Sequence, residues 1–89
     1  MAEIVRNGNE VLIKTGARID TINAGDFERE INPVITESGV NVVFDCSELD
    51  YISSSGLRVV LKAQKMVTAN KGEMKLTGVK PQIKKVFDM

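Results

Sequence analysis

One run of the chain, Val42-Val43-Phe44-Asp45-Cys46-Ser47-Glu48-Leu49-Asp50-Tyr51-Ile52-Ser53-Ser54-Ser55-Gly56-Leu57-Arg58-Val59-Val60-Leu61, limits the available folds more than any other. It starts as a short β-rich apolar stretch that reads as a buried strand, turns polar, and passes through three serines and a glycine before helical periodicity begins. A strand that feeds a helix through such a loop puts hydroxyl groups at a helix N-terminus. The first-turn N–H groups there lack intrahelical partners, so the loop suits its own hydroxyl oxygens, a phosphate or a partner's carboxylate. On spacing alone the serines also read as a plain hydrophilic turn with a cap, and Ser54 is the expected structural cap.

The rest of the chain arranges itself around this run. Past Gly56, Leu57, Val59, Val60, Leu61, Ala63, Met66 and Val67 form a broad apolar arc, and Lys71-Gly72 supplies the stop. Arg58, Lys62 and Lys65 make a basic stripe opposite, which reads as a solvated face or as a surface flanking a partner's acidic patch. Met74-Lys75-Leu76-Thr77 alternates as a strand, and strand–helix–strand of this length predicts a right-handed crossover onto a parallel neighbour. The serine loop is thereby predicted at a carboxyl edge of the sheet, where open α/β sheets carry their sites.

Upstream, Ile4-Val5-Arg6 and Glu10-Val11-Leu12-Ile13-Lys14 flank Asn7-Gly8-Asn9 and read as a hairpin. Asn23 is the expected N-cap of a first helix that starts at Ala24, with Ala24, Phe27, Ile31, Val34 and Ile35 on its apolar face. Pro33 predicts a kink, or a helix end near Asn32. Pro81 suits the first position of a last helix, whose Ile83, Val86 and Phe87 recur at helical spacing. Asp20 and Asp45 lie at element ends leading to the same edge, where they make turn hydrogen bonds or help hold a partner's groups.

Several function classes are excluded. The 89 residues fit one small domain, and twelve basic residues cancel twelve acidic ones, so the uniform phosphate attraction of a nucleic-acid binder is missing. There is no histidine to serve as base for a serine nucleophile, no Gly-x-x-x-x-Gly-Lys-(Ser/Thr) phosphate loop and no His/Cys metal spacing. The single cysteine, Cys46, is expected to be a buried reduced thiol. No leader opens the chain and no apolar run approaches a membrane span, so a cytoplasmic protein with no membrane partner, cofactor or metal is expected.

The segment Asp45-Cys46-Ser47-x-Leu49-x-Tyr51-Ile52-Ser53-Ser54-Ser55-Gly56-Leu57 resembles the signature of bacterial anti-sigma factor antagonists, the stand-alone STAS domains. Their pattern reads roughly D-x-S-x-(aliphatic)-x-(aromatic)-(aliphatic)-D-S-S-G-L; the Asp before the serine pair is Ser53 here. The resemblance implies an α/β STAS-like domain over residues 1–89, a small mixed β-sheet with α-helices packed on one side, lacking the family's C-terminal strand and helix. It also implies a regulator and no enzyme. An anti-sigma factor that is also a serine kinase of the GHKL type would phosphorylate Ser55, and a PPM-type serine phosphatase would reverse this. By the same resemblance Asp20, Asn23, Ser53, Ser54, Ser55, Gly56, Leu57 and Arg58 border the partner-binding surface. Two other roles for such a domain are a scaffold subunit in a lipid-transport or stress-sensing assembly and a nucleotide-binding module.

Overall fold

The computed structural model describes residues 2–88. Strands β1 (Glu3–Asn7) and β2 (Glu10–Lys14) form the expected antiparallel hairpin, and Gly8 at its tip takes a φ of 63°, which an L side chain rarely tolerates. After a two-residue strand β3 (Arg18–Ile19) comes helix α1 (Ala24–Ile35), then β4 (Asn41–Asp45), a two-residue β5 (Tyr51–Ile52), helix α2 (Ser54–Ala69), β6 (Glu73–Thr77) and helix α3 (Pro81–Phe87). The main sheet runs in the order β1-β2-β4-β6, antiparallel at the hairpin and parallel from β2 through β4 to β6. This is the mixed sheet and the parallel β4–α2–β6 crossover that the sequence predicts.

Burial alternates along the two central strands. Val11 and Ile13 of β2 and Val42 and Phe44 of β4 are buried, whereas Leu12 and Val43 between them are half-exposed. One face of the sheet therefore packs on the helices and the other remains largely uncovered, so β4 is not buried on both faces as its apolar run suggests. Phe27 of α1 meets Phe44 edge-to-face at 6.2 Å between ring centroids, and Ile31, Ile35, Val60, Ala63, Val67 and Ile83 complete the same core. Cys46 lies within it as a free thiol, and burial pushes its pKa up to about 11, with the Asp45 charge adding to the effect.

Three local expectations are corrected. Pro33 does not stop α1 near Asn32; the helix continues to Ile35. Pro33 and Arg29, whose carbonyl loses its helical partner, are both on the exposed side of the helix, while buried Val34 and Ile35 hold the last turn on the core. Helix α2 starts at Ser54 rather than after Gly56, and Leu61 lies on its exposed side instead of in the apolar arc. The short strands β3 and β5 carry no sequence pattern of their own. They pair in parallel through Arg18↔Tyr51 and Ile19↔Ile52, with the Arg18 guanidinium 4.6 Å from the Tyr51 ring centroid.

The stop of α2 uses both residues foreseen for it, in different ways. Lys71, not Gly72, takes the left-handed conformation, at φ 68°. The Gly72 amide donates to Val67 O at 2.8 Å and the Lys71 amide to Thr68 O at 3.1 Å, a Schellman closure. Gly72 is required for space, because a Cβ there would stand 1.9 Å from Val40 O.

Candidate functional site

The site is set by how two helices begin. At α2, Ser53 is the N-cap: its backbone is extended (φ −83°, ψ 171°) and its Oγ accepts from the Gly56 amide at 3.1 Å. This corrects the assignment of the cap to Ser54, which is the first helical residue and is exposed. The cap is a neutral hydroxyl where the family pattern has an Asp, so the cap residue brings no negative charge to this helix start. Ser53 is buried, Ser55 half-buried in the first turn, and Leu57 half-buried against the core. Among the described residues the amides of Ser54 and Ser55 have no hydrogen-bond partner, and no acidic residue stands in the first turn.

Gly56 is what lets α2 begin so close to the short strands. A Cβ at this position would lie 2.7 Å from Ile19 Cγ2, 2.9 Å from Ile19 O and 2.9 Å from Ile52 Cγ1. The Ser53 amide donates to Ile19 O at 2.8 Å, so the serine turn is bonded to β3 on one side while α2 presses on it from the other.

At α1 Asn23 is the N-cap by position, as expected, though without a side-chain cap bond, and Asp20 makes the turn hydrogen bonds foreseen for it. Asn23 is already helical in its backbone (φ −99°, ψ −5°). Asp20 holds the turn ahead of the helix: its Oδ1 accepts from the amides of Ile22 at 3.0 Å and Asn23 at 2.9 Å, and its carbonyl accepts from the Ala24 amide at 2.9 Å. The Asn23 side chain returns the contact, with Oδ1 accepting from the Asp20 amide at 2.8 Å and Nδ2 donating to Arg18 O at 3.1 Å. This reciprocal pair is a capping box that locks the turn between β3 and α1. The amide of Asn23, then that of Ile22 and the Arg18 side chain, hold the Asp20 carboxyl below the usual carboxylate range against the opposing effect of burial. The locked turn displays Ile22, 91% exposed, a residue the sequence reading passed over.

A cleft of about 370 Å³ opens between the two helix starts, lined by Thr21, Ala24, Gly25, Glu28, Ser55, Arg58, Val59 and Lys62. A second hollow of about 390 Å³ continues it along α1 past Arg29, Asn32 and Pro33. Lys62 Nζ bridges to Glu28 Oε2 at 2.8 Å across the cleft, while Arg58, Lys62 and Lys65 are all exposed, as a solvated face requires. Ser55 and Arg58, both foreseen, share this cleft; Glu28, Thr21 and Gly25 were not foreseen, because nothing local in α1 marks which polar residues face α2. Asp45 does not join them. Its Oδ1 accepts from the Ser47 amide at 3.0 Å, which holds its carboxyl below the usual range, and it lines a separate hollow with Lys14, Gly16, Ser47 and Glu48. No group of acidic and cysteine side chains among the described residues is arranged to hold a metal ion, and no described helix is long and apolar enough to cross a membrane.

Known proteins share this arrangement of elements. BtrV of Bordetella bronchiseptica, to which its name assigns the part of an anti-sigma factor antagonist, is 38% identical over 71 residues. The match takes in 80% of this chain and 61% of that protein, so the chain spans less than two thirds of the relative's length. The anti-sigma-B factor antagonist of Bacillus subtilis is 24% identical over 87 residues, which are 98% of this chain and 79% of that one. The phosphorylated form of the Bacillus cell fate determinant SpoIIAA superposes with a TM-score of 0.82 at 21% identity, over 99% of this chain and 81% of that one. With the STAS domain pattern matched from residue 1 to residue 89, the chain belongs to the STAS domain family.

Proposed function

We propose that this chain is an anti-sigma factor antagonist that works by partner switching, with Ser55 as its phosphorylated residue. Unmodified, the surface made by the Asp20 turn, Asn23 and residues 53–58 docks on an anti-sigma factor that is also a GHKL-type serine kinase, and a sigma factor is set free. The kinase then transfers the γ-phosphoryl group of ATP to Ser55 Oγ: the Oγ–P bond forms, the bond to ADP breaks, and the hydroxyl proton passes to a base of the kinase. The modified form lets go of the kinase. A PPM-type phosphatase hydrolyses the phosphoester in the cytoplasm and resets the cycle, so the protein is a substrate of both enzymes.

The observation that carries this reading is the position of Ser55. Its hydroxyl sits in the first turn of α2, half-exposed at a cleft, beside two amides without partners and with no carboxylate in the turn. A dianionic phosphate is favoured at such a helix end and leaves the core undisturbed. Ser53 is committed to the cap and buried, which argues against it as the acceptor. Family membership and the names borne by the relatives support the same role.

The test uses the cognate kinase, identified as the protein retained by a Ser55→Ala bait and lost from a Ser55→Glu bait. With ATP it is expected to add one phosphate to the unaltered chain and none to Ser55→Ala, read by intact-mass spectrometry. Equal phosphorylation of both chains would assign the site to another residue and refute the reading.

A further inference from the structure

We infer that Arg58 is a built-in counter-ion for a phosphate on Ser55, holding it within the cleft between α1 and α2; this rests on the reading of Ser55 as the modified residue. Arg58 follows Ser55 by three positions on one helix, which sets their Cβ atoms about 5–6 Å apart on the same face. Both line the same cleft. The other charged side chains of that cleft are Glu28 on α1 and Lys62 on α2, and they are committed to each other at 2.8 Å. Arg58 is exposed and has no ion-pair partner among the described residues.

The chemistry of the two groups matches. A guanidinium offers several donors in a planar fork that suits two phosphate oxygens at once, which an ammonium cannot imitate. Nothing anionic competes in the first turn, because the cap is the neutral hydroxyl of Ser53 and Glu28 is neutralised by Lys62. The phosphate is thereby drawn along α2 toward Arg58, within the cleft that Gly25 of α1 also lines. Arg58 in this role is a positioning residue for the modified state, beside its place on the docking surface of the unmodified chain.

The test requires no kinase. Phosphoserine is installed at position 55 during translation, in the unaltered chain and in Arg58→Ala, Arg58→Lys and Lys62→Ala, and the second ionisation of the phosphate is followed by phosphorus NMR. Because Arg58 is exposed, each variant is expected to keep the unaltered far-ultraviolet dichroism. In the unaltered chain the ionisation is expected below the ~6 of free phosphoserine by roughly half to one pH unit, since a nearby cation favours the dianion. Arg58→Ala should remove most of that Arg58-dependent shift, Arg58→Lys should keep part, and Lys62→Ala should change it less than Arg58→Ala does. Identical curves for the unaltered and Arg58→Ala proteins, or an equal effect of Lys62→Ala, would overturn the inference. A null result here leaves partner switching standing, and a failed kinase assay leaves this measurement intact, so the two claims are separately decided.

Discussion

Asp20 governs the geometry of the site although it is not the residue expected to react. Its carboxylate takes two amides of the following turn and receives the Asn23 side chain in return, so the loop between β3 and α1 is held from both ends. Replacement by alanine is expected to free that turn and lower the melting temperature by on the order of a few degrees near neutral pH. The sign of the pH dependence follows from the carboxyl's depressed ionisation in the folded chain. A depressed native pKa contributes stability that is complete above the ordinary Asp value of about 4 and is lost as pH falls through the lower native value. Thermal melts of both proteins between about pH 7 and pH 2 should therefore converge at the acid end. A gap that stays constant with pH would show that the charge on Asp20 has no part in holding the turn. Ser53 illustrates the same economy in neutral form, with one hydroxyl oxygen fixing the start of α2.

The elements read from the sequence are those whose own residues decide them. β2, β4 and β6 announce themselves by alternation or β-branched runs, α1 by five buried residues at helical spacing, and α3 by Pro81 at its start. β3 and β5 stay hidden, because two-residue strands are defined by their partner, here through bonds such as Asp50 N–H to Ala17 O and Ser53 N–H to Ile19 O. The serine run was legible as a helix start, but its cap was not. Three identical side chains carry no sign of where extended backbone ends, and only the bond from Ser53 to β3 fixes that point. Likewise Asn23 was legible as the position where α1 begins, but not that the Asp20 side chain, and not its own, would take the nearby amides. Pro33 is a case where tertiary packing overrides a strong local signal. Since its position is exposed and its pyrrolidine denies Arg29 a helical bond, Pro33→Ala is expected to stabilise the domain. The gain should be about 2 kcal/mol by urea unfolding, the helix-interior penalty of proline less the unfolded-chain entropy it saves. A loss of stability would mean that Pro33 shapes α1 for a purpose its packing does not reveal.

Across the whole molecule, the proposed switch surface and the core lie on different structural resources. The core joins one face of the β1-β2-β4-β6 sheet to the helices, whereas Ser55, Arg58, Thr21 and Ile22 sit at or around the cleft where α1 and α2 begin. Ser55 is half-buried at the cleft and stands outside the core cluster, and a negative charge in the first turn of a helix is favoured by ~0.3–1 kcal/mol. Phosphorylation is therefore expected to alter docking and leave folding alone. At an effective dielectric of ~20, a carboxylate of a docked partner about 4 Å away is repelled by roughly 4 kcal/mol per unit of phosphate charge, about a thousandfold in affinity. Arg58 offsets part of this, which brings the expected loss to between about a hundredfold and a thousandfold. The most direct measurement is a calorimetric titration of the cognate anti-sigma factor kinase with the unmodified chain and with the chain bearing phosphoserine at position 55, each melted beforehand to compare folding. The account expects equal or slightly higher melting temperature for the phosphorylated chain and at least hundredfold weaker binding. Equal affinities, or a phosphorylated chain that melts far lower yet binds as tightly when folded, would contradict it.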